Sequence, residues 1–155
     1  MTINPSRFGS DIRLLGNLEY QSQRERGADL RIVIRPQSSL VDLESVVGVP
    51  NLQQALLLRF LTPVGEMTVL GHPEYGSRLH ELIGESNTQT NRDRAKLFAL
   101  EALLAEPRIK EVKSLKVTTR RDRPNRIDIV AELAVRDEDA ALNLVFPFEF
   151  DGGAP

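Results

Sequence analysis

The sequence predicts an α+β fold in which helices precede a C-terminal antiparallel β-meander packed against them, within a single domain. Three observations predict it. Apolar residues recur at helical spacing over 52–61 and again from about Thr88 to Ala105. Beyond residue 110 the pattern changes to period two and keeps it through three segments separated by polar turns. Between the helical stretches, Thr62–Glu85 is punctuated by Pro63, Gly65, Gly71, Pro73 and Gly76. That is too glycine-rich for core and too specifically patterned for a plain linker, so it reads as a loop that presents something to a ligand or a partner.

In chain order, residues 1–28 are polar and irregular, with short apolar patches at Ile12–Leu15 and Leu18–Tyr20. They read as an N-terminal arm or loosely packed lead-in. The domain proper is expected over 29–150, with 151–155 as a frayed tail. Leu30–Ile34 is rich in β-branched residues and stops short of Pro36, which makes it a short strand. Residues 37–50 carry Val41, Leu43, Val46 and Val47 before Gly48 and Pro50, and fit either a strand or a short helix.

Asn51 is a good N-cap for a helix with Leu52, Ala55, Leu56, Arg59 and Phe60 at helical spacing, which Thr62-Pro63 terminates. Ser77–Ile83 makes a short helix with Gly84 at C′. Thr88 or Thr90 caps the next helix, whose apolar face is Ala95, Phe98, Ala99, Ala102 and Leu103 and whose end is Glu106-Pro107. Val112, Leu115 and Val117 then lead to an arginine-rich tip at 120–126. Ile127, Ile129, Ala131, Leu133 and Val135 alternate with more polar neighbours. A charged turn at Arg136–Asp139 precedes a second alternating set, Leu142, Leu144, Phe146, Phe148 and Phe150. Pro147 sends the last strand to a sheet edge or a bulge.

Composition bounds the function. A chain of 155 residues suits one domain burying roughly two-thirds of its unfolded surface. With 41% hydrophobic and 27% charged residues it is an ordinary globular protein. A net charge of −2 gives no reason to expect nucleic acid or an anionic membrane. The absence of cysteine excludes disulfides, thiolate metal sites and a cysteine nucleophile. Scarce aromatics, 5% with no Trp, argue against a site of stacked rings. The N-terminus carries no apolar signal core, and no apolar run approaches the ~18 residues of a membrane span. The chain is therefore expected to be cytosolic, or assembled in the cytosol.

Catalytic patterns are weak. His72 and His80 are the two histidines and lack metal-ligand spacing. Ser77 lacks the nucleophile-elbow pentapeptide and its strand–turn–helix setting. Glu66, Glu74, Glu81 and Glu85 cluster around the loop, and two of them could flank a glycosidic bond. Against that, Glu74 and Glu81 read equally as helix caps and Glu66 as an arginine partner. The tip at 120–126 reads as solvated charge rather than a nucleic-acid contact, with an acidic protein partner between those readings. In Glu106-Pro107-Arg108 the proline fixes its own φ and excludes helix from Glu106, so both charged side chains sit on a rigid turn. Such a pair is either an internal tie between elements or a docking point.

Four runs together carry a resemblance: Asn51-Leu52-Gln53-Gln54-Ala55-Leu56; Leu61-Thr62-Pro63-x-Gly65-Glu66; His72-Pro73-Glu74-Tyr75-Gly76-Ser77-x-Leu79; and Glu106-Pro107-Arg108-Ile109. Over about residues 40–150 the chain resembles the W-like, "lysozyme-related" family of phage baseplate wedge proteins, which includes the TssE component of type VI secretion. The resemblance implies a structural part of a contractile injection machine, assembled in the cytoplasm and then carried in a phage tail-like particle. Its implied partners are other baseplate wedge proteins and the sheath protein, in six copies around a sixfold baseplate. No cofactor, metal, nucleic acid or membrane span is implied, and no catalytic pair is carried over from the family's label. Glu106, Pro107 and Arg108 would meet the wedge partner. The C-terminal sheet would face the sheath, with Arg126, Asp128, Phe146 and Phe148 as the expected contacts. The Thr62–Glu85 loop would set the angle between two helices, with Tyr75 and Arg78 as its packing and hydrogen-bonding anchors. The alternatives are a regulatory, anti-adaptor-like binding module of the same fold and an acid glycosidase.

Overall fold

The computed structural model of the chain describes residues 8–16, 30–36, 40–137 and 141–152. The fold is α+β, with a C-terminal three-stranded antiparallel sheet packed against helices. Backbone contacts group the chain into two compact units, Met1–Ala55 and Leu56–Pro155, dividing within helix α1 (Val49–Leu61).

In the first unit, β1 (Ser10–Ile12) pairs antiparallel with β4 (Ser45–Val47), and β2 (Ile32–Ile34) with β3 (Val41–Leu43). The undecided stretch 37–50 thus contains strands, where it is described. At three residues each they are too short for period two to declare itself. Asn51 is not the N-cap. The helix already starts at Val49, with Pro50 in the first turn where a missing N–H costs little. The Asn51 amide is free to donate to the Phe8 carbonyl at 2.8 Å. Three residues on, the buried Gln54 side chain accepts from Leu14 N (2.9 Å) and Leu15 N (3.3 Å) and donates to the Ile12 carbonyl (2.9 Å). Residues 8–16 of the expected arm are therefore pinned to α1 by two amide side chains; the rest of the arm lies outside the described residues.

The second unit contains the end of α1, helix α2 (Gln89–Leu104) and strands β5 (Ile109–Arg120), β6 (Arg123–Val135) and β7 (Ala141–Glu149) in the order β5-β6-β7. Thr88 caps α2, its hydroxyl accepting from Asn91 N at 3.2 Å. Period two sorts the sheet into rows. Val117, Ile129 and Phe146 form one cross-strand row, and Leu115, Ala131 and Leu144 the next. The β6 and β7 members of both rows are buried. Phe146 meets Phe60 of α1 with ring centroids 5.2 Å apart, which ties helix to sheet. A register shift between Val112 and Ser114 explains why the apolar residues Val112 and Leu115 are three apart rather than two. Among the described residues β7 pairs with β6 and with no other strand, the edge position that Pro147 predicts.

The Thr62–Glu85 loop folds into two 3₁₀ helices, Glu66–Leu70 and Leu79–Leu82. The second replaces most of the expected helix at 77–83, with Gly84 beyond it at φ 91°. The loop's ends are stitched together: Ser77 N donates to the Thr62 carbonyl at 2.9 Å and Val64 N to the Ser77 carbonyl at 3.1 Å. Gly76, at φ 114°, makes that approach possible, because a Cβ there would lie 2.5 Å from the Thr62 oxygen. Of the expected frayed tail, Asp151 and Gly152 form a turn, and 153–155 lie outside the described residues.

Candidate functional site

The site grows from the stop signal of α2. Pro107 prevents Glu106 from continuing the helix, and the chain turns directly into β5. The turn aims Glu106 inward, where it is 5% exposed. Its carboxylate accepts from Arg108 Nε at 2.6 Å and Arg108 N at 3.3 Å through one oxygen, and from Arg59 Nη2 at 3.4 Å through the other. Burial raises the pKa of Glu106, but the Arg108 hydrogen bond and charge, with Arg59 behind them, outweigh it and hold the group below its ordinary range. Pro107 is exposed, and its carbonyl accepts from Arg136 Nε at 2.8 Å. Arg108 is partly exposed. The tripeptide is thus an internal tie through Glu106 that leaves Pro107 and one side of Arg108 on the surface.

Arg59 lies on α1 between the buried Leu56 and Phe60 and is itself only 8% exposed. Its guanidinium carbon stands 4.6 Å from the centre of the Tyr75 ring. Among the described residues its hydrogen bonding is the one long contact to Glu106, and its Nε has no partner. Burial raises the Tyr75 phenol pKa above its usual value, an effect that the Arg59 charge partly offsets. Arg59 lines an open cleft of about 310 Å³ together with Gly71–Tyr75 and Ala105. Sequence reasoning assigned Arg59 to the helix but not to this cluster. The available signal was a charge at an apolar position of the helix.

Tyr75 and Arg78 anchor the loop as expected. Arg78 stacks at 4.3 Å over the Phe98 ring and bonds Glu81 at 2.7 Å. That bond leads the effects holding the Glu81 carboxyl below its usual range. Glu66, Glu74 and Glu85 are exposed. The His80 ring Nδ1 lies 3.0 Å from the Ser77 carbonyl, and among the described residues no group of acidic or histidine side chains could hold a metal.

The residues expected to face a sheath subunit are placed differently. Phe146 and Phe148 are buried, because period two puts them on the same face as Ile127 and Ile129. Arg126 is also buried and bonds Asp128 at 2.9 Å, leaving Asp128 as the partly open member. As side chains these residues hold the sheet together. The opposite face of the sheet carries the rows of Lys116, Val130 and Val145 and of Ser114, Glu132 and Asn143. At the basic tip, Arg120 pairs with Asp122 and Arg123 with Glu149.

Among solved structures, the chain is similar to one from Geobacter sulfurreducens named as a tail lysozyme. The two are 28% identical with a TM-score of 0.55, over 65% of this chain and 89% of that one. No protein-family model and no curated protein matches the chain. Among the described residues, no helix is long and apolar enough to cross a membrane.

Proposed function

We propose that the chain is a structural component of the baseplate of a contractile, phage tail-like injection machine, docking to the wedge core and offering its sheet to the first sheath subunits. The observation that carries this is the likeness to a tail protein over nearly all of that protein's length. Geometry supports the same reading. The Glu106–Pro107–Arg108 turn, braced from within by Arg59, offers a rigid platform in which Pro107 and Arg108 are the surface members.

A hydrolytic role has less support. A glycosidase acid needs a carboxyl with a raised pKa in an apolar pocket. Glu81 and Glu106 are both shifted the other way by arginines, and Glu66, Glu74 and Glu85 stand in solvent.

The test is copurification. The chain should comigrate with wedge and sheath proteins in a large sixfold particle. Recovery only as a soluble binary complex would favour a regulatory binding module, and peptidoglycan turnover that vanishes in Glu66→Gln or Glu74→Gln would favour the enzyme. Arg108→Ala should keep the fold, since its side chain is 33% exposed and Glu106 retains Arg59, yet fail to enter the particle.

A further inference from the structure

We infer that the cleft over Arg59 is the seat for an acidic side chain of a partner, carried on a short apolar segment that rests on the rims of the cleft. The inference rests on reading the chain as a component that docks into an assembly.

The first ground is the arginine. A guanidinium carries five N–H donors, and burial without acceptors is unfavourable. Arg59 is buried, makes one hydrogen bond at 3.4 Å and leaves Nε unpaired. Glu106 meets Arg59 through one oxygen at 3.4 Å, while its other oxygen is held by Arg108 at 2.6 Å. Two guanidiniums, Arg59 buried and Arg108 partly exposed, share the one buried carboxylate, so the group that would complete Arg59 is an anion or a strong acceptor. Glu74 is on the cleft wall, but it is exposed and makes no hydrogen bond to Arg59.

The second ground is the rim. The 3₁₀ helix Glu66–Leu70 buries none of its residues, yet both ends are fixed by left-handed glycines, Gly65 and Gly71. It holds Val69 at 92% and Leu70 at 66% exposure immediately before the cleft-lining Gly71. Leu104, 62% exposed, likewise immediately precedes the lining residue Ala105. Exposed apolar side chains next in sequence to two parts of the cleft's lining, around an under-satisfied cation, match a docking seat with an apolar border and a charged floor. An acidic residue flanked by leucine-like neighbours satisfies both at once; a free inorganic anion would leave the rim uncovered.

The probes are acetyl-Leu-Glu-Leu-amide and its Gln counterpart, titrated into the ¹⁵N-labelled full chain while the Arg59 Nε–Hε resonance is followed, assigned by its loss in Arg59→Lys. The Glu peptide should move that resonance at millimolar concentration and bind about tenfold more tightly than the Gln peptide. The surface double variant Val69→Ser/Leu70→Ser should weaken the Glu peptide about fivefold or more without changing Tm. Equal binding of the two peptides, no movement of the Arg59 signal, or an unaffected double variant would each overturn the inference, the second by leaving water as the occupant. The outcomes separate from those of the proposed function. A chain found in the particle but indifferent to the peptides loses only this inference, whereas one that binds them but never joins a particle loses only the baseplate reading.

Discussion

Glu106 is the residue on which stability and docking meet. Its carboxylate is buried and its pKa depressed, so it favours folding in the charged form. The sign follows: that contribution is present above the ordinary glutamate value of 4.5 and is lost as pH falls through the lower folded value. Glu106→Gln should therefore be less stable at pH 7 by about 1–3 kcal/mol, leaving two arginines without their anion. The gap from the parent should close as pH falls below the ordinary glutamate value of 4.5, read from urea midpoints over an acid series. A gap independent of pH would mean that the carboxylate contributes by shape rather than charge. The proline turn was legible in the sequence, because Pro107 alone forbids helix at Glu106. Arg59 as its brace was not: helical spacing shows which face a residue shares, not which distant turn it meets. The same limit misplaced Phe146 and Phe148. Alternation correctly put them on one face, but turning that face toward a partner required ignoring the helices it must cover.

At the scale of elements, the loop Thr62–Glu85 tests how backbone geometry is specified. Gly65 and Gly76 both have positive φ, but only Gly76 lacks room for a side chain. Gly65→Ala should cost about 1 kcal/mol from conformation alone. Gly76→Ala adds a clash with the Thr62 and Pro63 carbonyls and should cost about 3 kcal/mol or more, opening the bridge between Pro63 and Ser77. Thermal melts of the two variants side by side decide it, and equal losses would refute the close approach. Thr88→Ala should lose about 1 kcal/mol by exposing the Asn91 amide of α2. Glycine and proline made the loop's existence legible. Its 3₁₀ helices were not, since one or two turns carry no periodicity. Sheet register was half legible: the irregular step from Val112 to Leu115 encodes the shift seen in β5, and a reading by strict alternation passes over it.

Across the whole molecule, order should follow pairing and burial. β6 is hydrogen-bonded on both sides, and Ile127, Ile129, Ala131, Leu133 and Val135 are all buried along it. The β2–β3 pair is the opposite. Its register puts Ile32 beside Leu43 and Ile34 beside Val41, and all four side chains are exposed. A two-stranded ribbon with its apolar residues in water is marginal by itself. Native-state hydrogen exchange should show β6 amides opening only with global unfolding, whereas the β2–β3 amides should exchange faster by at least about a hundredfold, through local opening. Equal protection would mean that the pair is covered in the free chain and unfolds together with the sheet. This contrast bears on the proposed role, because an assembly component keeps a rigid sheet to fix its position while less protected elements gain order from neighbours. Protection of the pair that rose on entry into a particle, with β6 unchanged, would connect the two.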